Sequence, residues 1–450
     1  MNHLQKFFTT LGVGIAIATA MIETSATAAT LVRKSVVDLT QQEKEDLVNA
    51  IKTLKTIPGS NDKNASVYDE LVAIHTGAMT FMTMHLGGQV TLPQDRAAIG
   101  PAEGADVAHE NAGFLPWHRE YLSRFEAALQ SVNPNVTVPY WDWSDPRAVD
   151  VIFQPDFLGT NGSGQFIDVN SAQPVEIPTG PVLQGGPVLS GNFSEAEGWT
   201  LIPDLHSNIG TGETLGTSLI RFLPDPNAPA GFGFPLSQEE TARLLQVEDY
   251  GTFRRFVEGV STIDENGNEQ LCEQSPCTHN LVHGLVGGTL RNPEDNPMRR
   301  ILTLGTLSNT PGSPNDPVFW LLHANVDRLW AEWQADSRQG PDFYPSEGEK
   351  FGHNLNDPMW PWDGGLSYPG TIGSTEIQPY LATYAPDDVV RPINALNWLK
   401  YGYTYDTLVK KVPESSSIFG LLGLGSLGAA SLLRRKRSSK LSVAPLRTIL

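Results

Sequence analysis

Cysteine is almost missing from this 450-residue chain, with Cys272 and Cys277 its only two. No second pair stands by to complete a thiolate metal site, so these two read as a short-loop disulfide placed just before His279. Basic charge is also scarce. Against 50 Asp and Glu there are 31 Lys and Arg, a formal net charge of -19, which argues against nucleic acid as a partner because phosphate binding needs a basic surface. The largest basic run, Arg434 to Arg437, sits near the C-terminus. Internal repeats and linkers are missing too, so residues 29–411 read as one catalytic domain with a large core, the chain being 40% hydrophobic.

Both ends carry signals. Lys6, an apolar stretch from Phe7 to Ile22 and then Ala26-Thr27-Ala28 follow the order of a secretory signal peptide, residues 1–28, cleaved after Ala28 or nearby. At the other end, 412–450, Val412-Pro413-Glu414-Ser415 precedes an apolar run from Ile418 to Leu433 and the basic cluster at 434–437. That run falls short of the ~20 residues of an unaided membrane helix, although flanking basic groups can snorkel and make it a transmembrane anchor. The three-part end resembles the PEP-CTERM sorting signal of Gram-negative bacteria, with Ser415 in place of a second proline. The resemblance implies export to the cell envelope or beyond, with the envelope sorting machinery as partner.

Within the domain, Thr40-Gln41-Gln42-Glu43 forms a capping-box pattern opening a helix through Lys55, with Leu47, Ile51 and Leu54 at helical spacing. The 150–250 stretch, rich in Gly, Pro and Asn, reads as long loops wrapped on a helical core. The histidines are what the chain has in an informative pattern. Of ten, six fall into two groups, His75, His109, His118 and His279, His283, His323. Three neutral imidazoles per ion, with no thiolate or carboxylate at matching spacing, form a nitrogen-only set that suits copper before zinc or iron.

Helical spacing supports the grouping, because ligands inside a bundle must lie on the inward stripe. Leu71, Val72, His75, Met79 and Met82 share such a stripe, as do Leu115, His118, Leu122, Phe125 and Leu129. A third runs Phe319, Leu322, His323, Val326, Trp330 and Trp333, opened by Asp316 as N-cap and Pro317 at the first helical position. His279 and His283, at i and i+4, project from adjacent turns of one face. His109 reaches the site from a loop or helix start. The competitor of His75 on its own helix, His85, lies about 80° round the axis from it, off the stripe, and is read as a neighbour. His206 and His353, in Pro/Gly/Asn-rich surroundings, are read as surface or loop residues. A zinc-protease reading fails at Asn280, which stands where a His-Glu-x-x-His helix has its general base.

At these residues the chain resembles the tyrosinase family of type-3 copper proteins. Phe114-Leu115-Pro116-Trp117-His118-Arg119-Glu120-Tyr121-Leu122 is similar to the family's first-copper signature, and Asn315-Asp316-Pro317-Val318-Phe319-Trp320 through His323 to Trp330 to its second. Further matches are Tyr68-Asp69-Glu70, Pro139 to Trp143, and Tyr401-Gly402-Tyr403-Thr404-Tyr405 closing the domain. The resemblance implies a mainly α fold, a four-helix-bundle core holding a dicopper site, with long loops and a few short strands. It implies His75, His109 and His118 on one copper and His279, His283 and His323 on the other, with O2 as co-substrate and a small phenol as substrate.

It also implies roles for Glu258 and Asn280. Phe253 to Gly259 is similar to the family segment whose Glu, with the Asn after the first ligand of the second copper, holds a water that takes the phenol proton. The family activity is hydroxylation of monophenols to o-diphenols and oxidation of these to o-quinones. Catechol oxidases, which perform only the second step, and hemocyanin-like oxygen carriers share the ligand set. The long spacings from His75 to His109 and from His283 to His323 imply insertions at the site mouth. Leu322 replaces a non-ligand His of many members, and no Cys lies near His109 or His85 to form a Cys-His thioether.

Overall fold

The computed structural model describes residues 31–409 apart from 61–64, 86–105, 165, 169–173, 176–181, 209–211, 225–232, 265, 273–276, 292–300, 348–351, 366–376 and 383. The signal at 1–28, the segment 412–450 and its apolar run lie outside them. The chain divides into two units, 1–406 and 407–450, and the first holds everything that follows. Among the described residues no helix is long and apolar enough to cross a membrane.

The fold is mainly α. Helix α1, Gln41–Leu54, starts where the capping pattern predicts, with Glu43 N–H donating to Thr40 Oγ1 at 3.2 Å and Thr40 N–H donating to the Glu43 carboxylate at 2.8 Å. Its Leu47, Ile51 and Leu54 are buried. Helix α2, Val67–His85, follows, and Ser66 and Asp69 cap it reciprocally at 3.0 and 3.1 Å. Lys55 and Asp69 form an ion pair that joins the end of α1 to the first turn of α2.

Helices α3, Phe114–Val132, and α4, Val318–Ala335, carry the two signature segments and pack across the core. Phe125 of α3 stacks on Trp320 of α4, centroids 3.8 Å apart and planes at 11°. Tyr68 of α2 ties into the same layer, accepting from Trp320 Nε1 at 3.0 Å and donating to Pro314 O at 2.7 Å. Regular α-helix begins at Val318, one residue later than expected, although the carbonyls of Asp316 and Pro317 already accept the N–H groups of Phe319 and Trp320 at 2.9 and 3.2 Å. Asp316 nevertheless caps it, since its carboxylate accepts Val318 N–H at 3.0 Å, so boundary and cap differ only by convention.

Two shorter helices complete the site walls: α5, Tyr250–Glu258, and α6, Thr278–Gly287. The described strands form two- and three-stranded ribbons. One of these pairs β1, Leu31–Arg33, in parallel with β2, Tyr403–Tyr405, and so brings the two ends of the domain together. Beneath it the Asp327 carboxylate accepts from Arg33, Arg119, Tyr403 and Tyr405 at 3.1, 2.5, 2.5 and 2.6 Å. The 150–250 stretch is mostly loop, as expected. Arg221 holds it to the core through two bonds to Asp316, 2.7 and 2.8 Å, both side chains fully buried.

Candidate metal centre

Four helices and one loop deliver the six histidines. His75 comes from α2, His118 from α3, His279 and His283 from α6, and His323 from α4. His109 stands on the irregular segment that leads into α3. In each group of three, one ligand nitrogen per ring lies within 4.8 Å of the others. Among the described residues these are the only such groups. His85 is the last residue of α2 and its side chain lies outside the described ones.

Five of the six outer ring nitrogens are spoken for. Nδ1 of His75, His118 and His283 lies 3.0, 2.8 and 2.8 Å from the carbonyl oxygens of Pro311, Phe114 and Leu307. Nδ1 of His279 lies 3.1 Å from Glu258 O and 3.0 Å from Asn280 Oδ1, and that of His109 lies 3.1 and 3.3 Å from the two oxygens of Asp106. A carbonyl or carboxylate oxygen can only accept, so five Nδ1 atoms carry the proton and each Nε2 presents a bare lone pair. For His323 no such partner is found among the described residues, where its buried Nδ1 has no hydrogen bond.

The Nε2 atoms then face one another. His283 and His279 approach to 3.1 Å, His279 and His323 to 3.2 Å, and the buried Nε2 atoms of His75 and His118 have no hydrogen-bond partner among the described residues. Between His279 and His283, two lone pairs at that distance repel unless something electron-poor sits between them. A cation satisfies both, and an all-imidazole set suits copper. The donor set and its spacing therefore fit two metal ions.

Electrostatics favours the ligating form. Burial, reinforced by neighbouring imidazoles, pushes His75, His118, His279 and His323 well below the usual histidine range, and burial brings His283 down to about 4. Neutral imidazole is the form that binds metal. His109 differs: burial pulls it down, but the carboxylates of Asp106, Glu258 and Glu110 together raise it above the usual value.

Glu258 is not a solvated helix charge. It is 1% exposed, its Oε2 accepts Arg254 Nη1 at 2.6 Å and its Oε1 accepts the backbone N–H of Glu110 at 2.5 Å. Asn280 is half-buried beside the second group. Cys272 and Cys277 are bonded, with Cα atoms 6.1 Å apart, and Cys277 is the residue immediately before α6. His206 lies in a loop as expected, yet it is buried with both ring nitrogens bonded, to Gly216 O and Thr306 Oγ1; His353 is half-buried.

Sequence reasoning missed the partners that aim the rings. Pro311 and Leu307 contribute backbone oxygens, which leave no residue-type signature. Asp106 was findable, because an acid three residues before a ligand His reaches its ring across a turn.

The chain matches the family model for the common central domain of tyrosinase over residues 65–336. It is similar to a tyrosinase of Streptomyces glaucescens, 32% identical over 335 residues that cover 74% of this chain and 92% of that one. A grixazone synthase of Streptomyces griseus is 29% identical over 350 residues, covering 74% and 93%. Among solved structures, a polyphenol oxidase variant from Thermothelomyces thermophila aligns at 21% identity with a TM-score of 0.46, covering 85% of this chain and 95% of that one.

Proposed function

Because this chain belongs to the tyrosinase family, we propose that it is a copper-dependent oxidoreductase that hydroxylates monophenols to o-diphenols and oxidises these to o-quinones. The observation that carries the reading is the pair of imidazole triads, five of whose six rings present a bare Nε2. His75, His109 and His118 hold one copper, and His279, His283 and His323 the other. When bound, the pair would supply O2 binding and electron transfer, and the protein supplies geometry and buried surroundings. Helix-borne rings pinned at Nδ1 keep their aim through turnover.

A monophenol must lose a proton whose unperturbed pKa is about 10. Glu258 and Asn280, on the two helices that meet at His279, hold the water that takes this proton. A second reading, oxidation of o-diphenols alone, is favoured by one observation: both oxygens of Glu258 already accept hydrogen bonds. A carboxylate has room for about four, so a water still fits, but two of those places are already taken.

Oxygen uptake by the copper-loaded protein, first with tyrosine and then with DOPA, separates the readings. Uptake on both, with Glu258→Gln lowering the tyrosine rate more than the DOPA rate, supports the first. Uptake on DOPA alone establishes the second. The proposal includes export to the envelope through residues 1–28, with the 412–450 segment as a PEP-CTERM-like sorting signal. Fractionation of a Gram-negative host expressing the full chain tests it, and retention in the cytoplasm would sink it.

A further inference from the structure

The last turn of α5 touches both triads at once. Glu258 is the shared point: its carboxylate accepts the N–H of Glu110, the residue after His109, and its backbone carbonyl faces Nδ1 of His279. The carbonyls of Phe256 and Val257 accept the hydroxyl of Thr278, the residue before His279, at 2.6 and 3.1 Å. Gly259 closes the turn at φ 96°, and a Cβ there would lie 2.0 Å from Cys277 O. Only glycine allows that approach.

At its other end, α5 grips the same His109 segment. Tyr250, the first residue of α5, donates to Ala112 O at 2.6 Å, and Tyr344 donates to the same oxygen at 2.9 Å. The two residues flanking the ligands are both in left-handed backbone conformations, Glu110 at φ 55° and Thr278 at φ 36°. For a β-branched threonine this is an outlier, and such strain persists only where the surroundings over-determine it. Here one helix supplies those surroundings on both sides.

Arg254 makes the contact rigid. One turn before Glu258 on the same face, and 8% exposed, it holds Oε2 and leaves Oε1 for Glu110. Without it the carboxylate is a buried, uncompensated charge, which draws water and turns away from Glu110.

We propose that Arg254 is a positioning residue for the metal pair: through Glu258 it sets the His109 segment and His279 relative to each other. The inference rests on reading the triads as a copper pair. It assigns Glu258 a bracing role beside its part in the chemistry, and makes the spacing of the two coppers a property of α5.

The test is copper content and the Cu(II) electron paramagnetic resonance signal of full-length Arg254→Gln, Arg254→Lys, Glu258→Gln and the Gln/Gln double variant. Two Cu(II) ions held close together and bridged couple their spins and give no signal, whereas a lone Cu(II) gives one. Wild type is expected to hold two silent coppers. Arg254→Gln keeps its far-UV circular dichroism, binds its weaker copper about 10–100-fold less tightly, and shows the signal of a lone ion. Arg254→Lys recovers towards wild type, and the double variant is no worse than either single one, as for two residues acting through one contact. Two silent coppers in Arg254→Gln overturn the proposal. Should Arg254→Gln lose its circular dichroism, Glu258→Gln decides: a lone-copper signal supports the brace, and two silent coppers overturn it. Wild type that takes up no copper overturns the functional reading itself, and this inference with it.

Discussion

The imidazole of His118 lies flat against that of His323, ring centroids 4.3 Å apart and planes 10° from parallel. One ring belongs to each triad, and the helices that carry them, α3 and α4, also meet in the stacked Phe125–Trp320 pair. Phe114 and Phe319 close on the same two rings, with centroids 4.7 Å from His118 and 4.1 Å from His323. The two triads therefore share a wall built by core packing. The aim of the ligands and the stability of the core rest on the same contacts.

Removing one half of that wall separates the sites. His323→Gln is expected to lower bound copper from two per chain to one and to abolish oxygen uptake on DOPA. Retention of two coppers by metal analysis would show that His323 is not a ligand.

Asp106 aims His109 from the loop side. Asp106→Asn keeps the shape but removes the charge facing Nδ1, and copper affinity at the first triad is expected to drop about 10–100-fold. Competition with a chelator measures it, and unchanged affinity would assign the aim of His109 to the backbone alone.

Acid should destabilise the copper-free protein over a defined window. Burial holds five ligand histidines below the usual value of 6.5, His283 at about 4. Between those values the unfolded chain binds more protons than the folded one. Their contribution is thus complete above pH 6.5 and is lost as pH falls towards 4, by about 1.4 kcal/mol per pH unit for each proton. His109, raised by Asp106, Glu258 and Glu110 against the pull of burial, works in the opposite sense, one group against five. Urea midpoints of copper-free protein between pH 7.5 and 4.5 should decline, and a flat series would contradict the burial argument.

Asp327 joins the ends of the domain by accepting from two arginines and two tyrosines. Asp327→Asn leaves Arg33 and Arg119 short of a buried anion, and an uncompensated buried charge costs about 3–5 kcal/mol. Chemical unfolding measures the loss. A change below about 1 kcal/mol would mean that Glu126, paired with Arg33 at 2.8 Å, suffices.

Much of the site was legible beforehand because helical periodicity is local. His75, His118 and His323 sit at the centre of apolar stripes, and any helix that buries such a stripe also buries its histidine. The capping box at Thr40 and the cap at Asp316 were legible for the same reason, since each depends on residues within one turn. Glu258 was harder. Its neighbours in sequence make it look like a helix-surface charge, and only the approach of the His109 segment turns it inwards.

The sequence by itself determined the grouping of the six histidines, the helices that bear five of them and the family, because all three are written in residue identity and short-range spacing. Tertiary structure alone decided how the two triads face each other, which carbonyls pin His75, His279 and His283, and that Arg254 and Glu258 reach from one triad to the other. Those facts depend on backbone atoms and on pairs such as Glu110 and Glu258, far apart in the chain, that meet only when the helices pack.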